Sequence, residues 1–90
     1  MWKIEYKKTF LKELARLPTG IRTRTEKIVF EELNCENPFE LGYIEKLKGF
    51  ENKYKIRIGD FRVGLTIDNK NKTIILNRAA NRKDIYRIFP

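Results

Sequence analysis

Histidine is absent from this 90-residue chain, and cysteine, methionine and tryptophan each occur once. Without histidine the chain lacks the commonest general base, the commonest metal ligand and every triad built on an imidazole. The lone Cys35 can form neither an internal disulfide nor a multi-thiolate metal site, which fits a reducing cytoplasm. No apolar run approaches the length of a bilayer span, and no signal-peptide pattern precedes the charged, strand-like start at Lys3. The expected location is cytoplasmic, with no membrane partner. Acidic residues are scarce in one half only. Residues 1 to 45 carry 8 basic and 8 acidic side chains, whereas residues 46 to 90 carry 12 and 4, so the whole net charge of +8 lies in the second half. Concentrated on a hairpin and a C-terminal segment, that excess points to a phosphate-binding groove more than to a solubilising surface. A basic amphipathic helix with exposed aromatics, the mark of membrane-surface binding, does not stand out.

An apolar content of 41% with scattered charges describes one small globular domain, residues 1–90, with a modest core. Trp2 to Tyr6 alternates weakly and predicts a short strand. Phe10, Leu11, Leu14 and Leu17 recur at helical spacing until Pro18 and Gly20, and Ile21, Ile28, Val29 and Leu33 mark a second helix, with Thr25 on the same stripe. Residues 39–47 are expected to link, with Phe39, Leu41 and Ile44 tucked against the core. Two strands of a hairpin follow, then a polar turn at residues 69–72 and a strand from Thr73 to Ala79. In that strand Ile74 and Leu76 are expected to share a face with Arg78. Asn81 is placed to cap a short helical turn in which Arg82 and Tyr86, four apart, face the same way. The order is α+β: a short N-terminal strand, two antiparallel helices packed on a mostly antiparallel sheet, and a C-terminal β-meander.

The hairpin is the most informative stretch. Tyr54, Ile56 and Ile58 alternate with Lys53, Lys55 and Arg57, which puts the three cations on one face of a strand. Gly59-Asp60 reads as a two-residue loop, after which Phe61, Val63, Leu65 and Ile67 alternate again. That loop sets Arg57 opposite Arg62 and Lys55 opposite Gly64. Like charges directly opposite are destabilising, and no carboxylate is expected on that face nearby. Such a ladder implies an anion, and a nucleic-acid phosphate fits best. On this reading removal of Arg62 would relieve repulsion at no cost in stability. Gly64 would leave the face open for a backbone to approach. Tyr54 and Phe61 are expected as core or half-buried aromatics, and Cys35 as inert.

Guanidinium forks, ammonium groups and an aromatic ring are the parts needed for metal-free RNA cleavage. At this point the sequence resembles a RelE-type toxin of the RelE/ParE superfamily. The resemblance is carried by Phe10-Leu11-Lys12-Glu13-Leu14 before Leu17-Pro18, by Leu47-Lys48-Gly49, by residues 54–62, by Arg82-Lys83-Asp84-Ile85-Tyr86, and by the terminal Phe89-Pro90. It implies the toxin of a type II toxin–antitoxin pair that cleaves mRNA in the ribosomal A site by attack of the 2′-hydroxyl. It also implies a RelB-like antitoxin that joins it in a hetero-oligomer, and no cofactor or metal. Lys55, Arg57, Arg62, Arg82 and Tyr86 match the catalytic positions, although many relatives carry His-Arg where this chain has Asn81-Arg82. Lys48, Lys53, Arg78 and Lys83 are expected to hold RNA around them. Two alternatives stay open: a ParE-like inhibitor of DNA gyrase, and a non-catalytic RNA-binding or antitoxin-binding module. The cationic ladder together with the terminal tyrosine favours the nuclease.

Overall fold

In the computed structural model, which describes residues 2–90, the chain runs β1 (Lys3–Tyr6), α1 (Lys8–Ala15), α2 (Thr19–Lys27), β2 (Ile44–Lys46), β3 (Lys53–Ile58), β4 (Phe61–Asp68), β5 (Thr73–Asn81) and α3 (Ile85–Ile88). The five strands lie in the order β1-β5-β4-β3-β2, with β1 parallel to β5 and every other pair antiparallel. This is the expected α+β layout.

The helices form where the apolar stripes predict them. In α1, Phe10 and Leu14 are buried four residues apart, and the helix stops before Pro18, which sits at the start of α2. Beyond Lys27 the second helix loosens into a π-helical turn, Ile28–Glu32, with Leu33 N–H donating to Ile28 O at 2.9 Å. Five residues now separate donor and acceptor. In the same turn the Val29 carbonyl accepts from the Tyr6 hydroxyl at 2.8 Å, pinning the helix end to β1. Thr25 lies on the buried stripe, as its spacing predicts, and its hydroxyl donates back to Ile21 O at 2.7 Å.

One face of the sheet is packed by these helices. Phe10, Leu14, Ile28, Val29 and Leu33 meet Ile56, Ile58, Val63, Leu65, Ile67, Ile74 and Leu76. The opposite face carries Lys53, Lys55 and Arg57 of β3 and, paired beside them, Arg62, Gly64 and Thr66 of β4. A smaller apolar cluster of Leu47, Ile85 and Phe89, backed by Ala80 and Ile88, covers part of that second face.

Three features differ from the expectations. Residues 39–47 do not merely link: Pro38–Leu41 forms a short 3₁₀ turn and Ile44–Lys46 adds strand β2 to the sheet. Three residues are too few for alternation to stand out in a sequence. The strand expected to end at Ala79 continues to Asn81, and its register slips between Gly64 and Leu65, so that Leu65 faces Leu76 but Gly64 faces Arg78. Asn77 is the extra residue. A bulge inverts the alternation beyond it, and Arg78 therefore leaves the face of Ile74 and Leu76 to join Gly64 and Lys55 in one row across the sheet. Third, α3 begins at Ile85, and residues 82–84 form a turn.

The bulge leaves an edge that a side chain closes. Pairing of β1 with β5 ends at Tyr6 opposite Leu76, so the Ala79 N–H has no strand to meet on that side. Glu13, from the last turn of α1, accepts it at 2.9 Å and grips the Arg78 guanidinium with both oxygens at 2.8–3.2 Å. The hydrogen bonds to Glu13 hold Arg78 above its ordinary pKa, against partial burial. Glu13→Ala should therefore lower stability by about 1–3 kcal/mol, through a backbone donor left without an acceptor and a guanidinium left with only the Ile88 carbonyl at 3.5 Å. Glu13→Gln should lose less. Denaturant midpoints check this, and an unchanged midpoint for Glu13→Ala would mean that water closes the edge.

Candidate functional site

The β3–β4 hairpin builds the site. Gly59 adopts a left-handed φ of +58°, which lets a two-residue loop pair Ile58 with Phe61, Arg57 with Arg62 and Lys55 with Gly64, as the spacing predicts. The cations of this ladder meet different surroundings. Lys53 donates to Thr66 Oγ1 at 2.9 Å, and Thr66 donates to Asn77 Oδ1 at 2.8 Å, a chain across three strands. Lys55 donates to the Tyr86 hydroxyl at 3.0 Å, with its Nζ 5.5 Å from the centre of that ring. Arg57 is exposed, and its Nε lies 3.7 Å from Glu45 Oε1. That carboxylate corrects the expectation of none on this face: Glu45 belongs to β2, and pairing opposite Lys55 delivers it there.

Arg62 is 8% exposed, and its Nη1 donates to Gly59 O at 2.8 Å and Phe61 O at 2.9 Å. It is a cation folded back on its own turn, lying under the site and reaching Tyr86 electrostatically. The space above Gly64 is not open either. A Cβ there would lie 2.5 Å from the ring of Phe89, so the close approach that the glycine permits is made by the chain's own C-terminal segment.

That segment carries Tyr86. Asn81 does not cap the helix as expected, since Asp84 stands at the N-cap of α3; it accepts from Lys83 N–H at 2.9 Å and so fixes the turn that leads into α3. Tyr86 is 54% exposed, yet its hydroxyl is fixed on Lys55. The Lys55 hydrogen bond holds the phenol below its ordinary pKa; partial burial opposes this, and the charges of Lys55 and Arg62 add to it. Arg82 does not join Tyr86 on one helical face, because residue 82 precedes the helix. Its Nε instead lies 3.8 Å from Asp60 Oδ1, and its N–H donates to Asp60 O at 2.8 Å, at the tip of the hairpin. Lys48 and Lys83 are exposed at the margins. Arg78 lies in the row of Lys55 but is committed to Glu13 and, at 3.5 Å, to Ile88 O.

Lys55, Arg57, Arg62 and Tyr86 are thus brought together, Arg82 borders them at the loop, and Arg78 is drawn to the far side. Glu45, Phe50 and Phe89 escaped sequence reasoning as members of the site; a glycine inside a strand was the available signal for Phe89. Among the described residues no three His, Cys, Asp or Glu side chains cluster closely enough to hold a metal ion, and no helix is long and apolar enough to cross a membrane.

No family model matches the chain. It is 40% identical over 92 residues to toxin RelE3 of Methanocaldococcus jannaschii, covering 98% of this chain and 99% of that one. A chain of the RelB–RelE antitoxin–toxin complex from Methanococcus jannaschii superposes with a TM-score of 0.78 at 37% identity, over 96% of this chain and 99% of that chain. A chain of the RelBE2 toxin–antitoxin complex from Mycobacterium tuberculosis shares the fold, with a TM-score of 0.70 at 21% identity over 90% and 98%.

The buried contacts of Arg62 reverse the expectation that its removal is free. Arg62→Ala gives up two hydrogen bonds from a buried guanidinium, worth about 1–3 kcal/mol, and relieves a like-charge pair worth about 0.2–1 kcal/mol. The variant should melt below the parent. A parental melting temperature would mean that repulsion from Arg57 offsets both bonds.

Proposed function

The chain belongs to the RelE family of toxins, and from that premise we propose that it is a ribosome-dependent endonuclease cutting mRNA in the ribosomal A site. The observation that carries this reading is the contact of an exposed tyrosine hydroxyl with Lys55 Nζ at 3.0 Å on a cationic sheet face. A phenol held below its ordinary pKa is ionised more often near neutrality than a free one. Tyr86 takes the proton of the ribose 2′-hydroxyl, and the 2′ oxygen attacks the neighbouring phosphorus. The bond to the 5′ oxygen breaks, leaving a 2′,3′-cyclic phosphate and a 5′-hydroxyl once an ammonium of the ladder protonates the leaving oxygen. Arg57 and Arg82 release their loose carboxylate partners, at 3.7 and 3.8 Å, and grip the phosphorane oxygens. Arg62 holds the turn from which Arg57 projects.

Histidine is absent, so much of the rate rests on placement of the substrate. Fixed geometry is worth several powers of ten, and the ribosome supplies it; free mRNA is cut poorly. The basic half of the chain also suits an acidic antitoxin, whose capture its charge would speed, and the partner silences the toxin by masking the hairpin or α3.

Primer extension on mRNA translated in a cell-free system with the protein added should show codon-phased cuts. Intact mRNA with loss of DNA supercoiling would overturn the assignment in favour of gyrase inhibition. The cleavage rate should rise with pH along an alkaline limb, because the ionised phenol is the active form. Its midpoint should lie below the ordinary tyrosine value of about 10. Lys55→Met should move that midpoint upward, and Tyr86→Phe should cut the rate by roughly a hundredfold or more. A pH profile unchanged in Lys55→Met would remove the pair from the proton transfer.

A further inference from the structure

Gly64 is buried and lies between Lys55 of β3 and Arg78 of β5 in one row across the sheet. The ring of Phe89 lies over it: a Cβ at position 64 would come within 2.5 Å of one ring carbon and 2.7–2.8 Å of two others. Phe89 lines the cleft that holds Lys55 and Tyr86 and also the cleft that holds Arg78, so its ring divides the row. On one side Lys55 Nζ meets the Tyr86 hydroxyl at 3.0 Å. On the other, Arg78 is bound to Glu13 and reaches the Ile88 carbonyl at 3.5 Å. Exposure separates the two rings: Phe89 is 5% exposed and Tyr86 54%. Phe89 has almost no surface left for a substrate, whereas the phenol stands largely in water. One turn joins them, closed by the Phe89 N–H donating to Ile85 O at 2.8 Å.

We infer that Phe89 is a positioning residue of the site: its ring, seated on the bare backbone of Gly64, sets the place of Tyr86 over Lys55. The inference rests on the nuclease reading and deepens it. A four-residue helix does not hold its shape alone, so α3 takes its place from what it is packed on. Leu47 and Ile85 pack with Phe89, while Tyr86 lies outside that cluster. The place of the phenol is therefore inherited from its neighbours in the turn. A flat ring reaches this depth only over a residue without a Cβ, which gives the glycine inside β4 its purpose. Phe89 acts through Tyr86 and not on RNA. Its loss should lower turnover, because a catalytic group misplaced by about 1 Å can cost on the order of a hundredfold. Lys55 and Arg57 stay on their strand without it, so binding of the substrate should change little.

The test follows the phenol itself as well as the cleavage. Tyrosine labelled with 13C at Cζ in the full-length chain reports each hydroxyl's titration, with Tyr86 assigned through Tyr86→Phe. In the parent, Tyr86 should ionise below the ordinary value of about 10, since the Lys55 hydrogen bond and the charges of Lys55 and Arg62 favour the phenolate. Phe89→Ala should carry that midpoint up towards the ordinary value and lower kcat on ribosome-bound mRNA roughly tenfold or more, at a near-parental KM. Gly64→Ala should do the same. Added to Phe89→Ala it should cost nothing further, because no ring remains to be displaced. The signals of Tyr6 and Tyr43, which pack against the helix-side core, should stay in place and report an intact fold. Where Phe89→Ala does not fold, Phe89→Leu keeps apolar bulk in the cluster without a flat ring over Gly64, and should shift the midpoint in the same direction by less. A Tyr86 midpoint that stays parental in these variants overturns the inference, whatever happens to kcat. Additive effects of Gly64→Ala and Phe89→Ala overturn it as well. A midpoint that rises on loss of the ring upholds it even where the protein proves not to cut mRNA, so its failure and that of the nuclease reading are told apart.

Discussion

Because position 64 carries no Cβ, the ring of Phe89 lies against the backbone of β4, and the geometry of the site follows from that contact. The C-terminal segment has little else to hold it: α3 is a single turn of four residues, far below the length at which a helix stands alone. Seating Phe89 beside Leu47 and Ile85 buries an apolar cluster on the sheet face that otherwise carries charge. Once that cluster closes, Tyr86 projects from the same turn onto Lys55, and the Ile88 carbonyl comes within reach of Arg78. Any side chain at residue 64 would displace the ring and, with it, the tyrosine. Packing, not electrostatics, places the phenol; electrostatics then tunes it.

The ladder of cations survives because its members are not equivalent. Arg62 turns inward to two carbonyls and helps fix the hairpin turn. Arg57 and Arg82 lean on Glu45 and Asp60 at distances near the limit of an ion pair, with all four side chains well exposed. Pairs of this kind contribute little to stability, because water screens them and ordering long side chains costs entropy. They are readily exchanged for a phosphate. Arg78, in the same row as Lys55, is bound by both oxygens of Glu13 and is far less free to leave. The sheet thus divides one composition between cations that hold the fold and cations that remain available.

The hairpin register was legible in residues 53–67 because alternation and a two-residue loop leave a single pairing that buries Ile56, Ile58, Val63 and Leu65 together. The helices were legible for the same reason at a period of 3.6. Strand β2 was not, since three residues show no period. The bulge at Asn77 was not, since an extra residue leaves no compositional mark, and with it went the side on which Arg78 emerges. Both misreadings reached the site. The missed strand supplied Glu45, and the missed bulge tied Arg78 to Glu13. Gly64 gave the right signal, close approach, with the wrong visitor: the approaching group is an intramolecular ring about 25 positions away in sequence.

The contest between Arg62 and Arg57 shows why a charge pattern read from sequence overstates its cost. Two guanidiniums directly opposite on a ladder repel only if both stay on the ladder. A long side chain can leave its strand, and the tight Gly59-Asp60 loop supplies two carbonyls within reach of one that does. Burial then turns a potential liability into a brace, since a buried guanidinium with two acceptors resists removal more than an exposed one is repelled. Arg62 also stays close enough to Tyr86 to lower its pKa. A single residue thus stiffens the turn that carries Arg57 and biases the group that faces the substrate, so its substitution would alter fold and chemistry together. Lys55 offers the cleaner separation: it is half-buried, it is tied to the phenol alone among the described side chains, and it lies opposite a glycine. Loss of its charge reaches Tyr86 first and the sheet hardly at all.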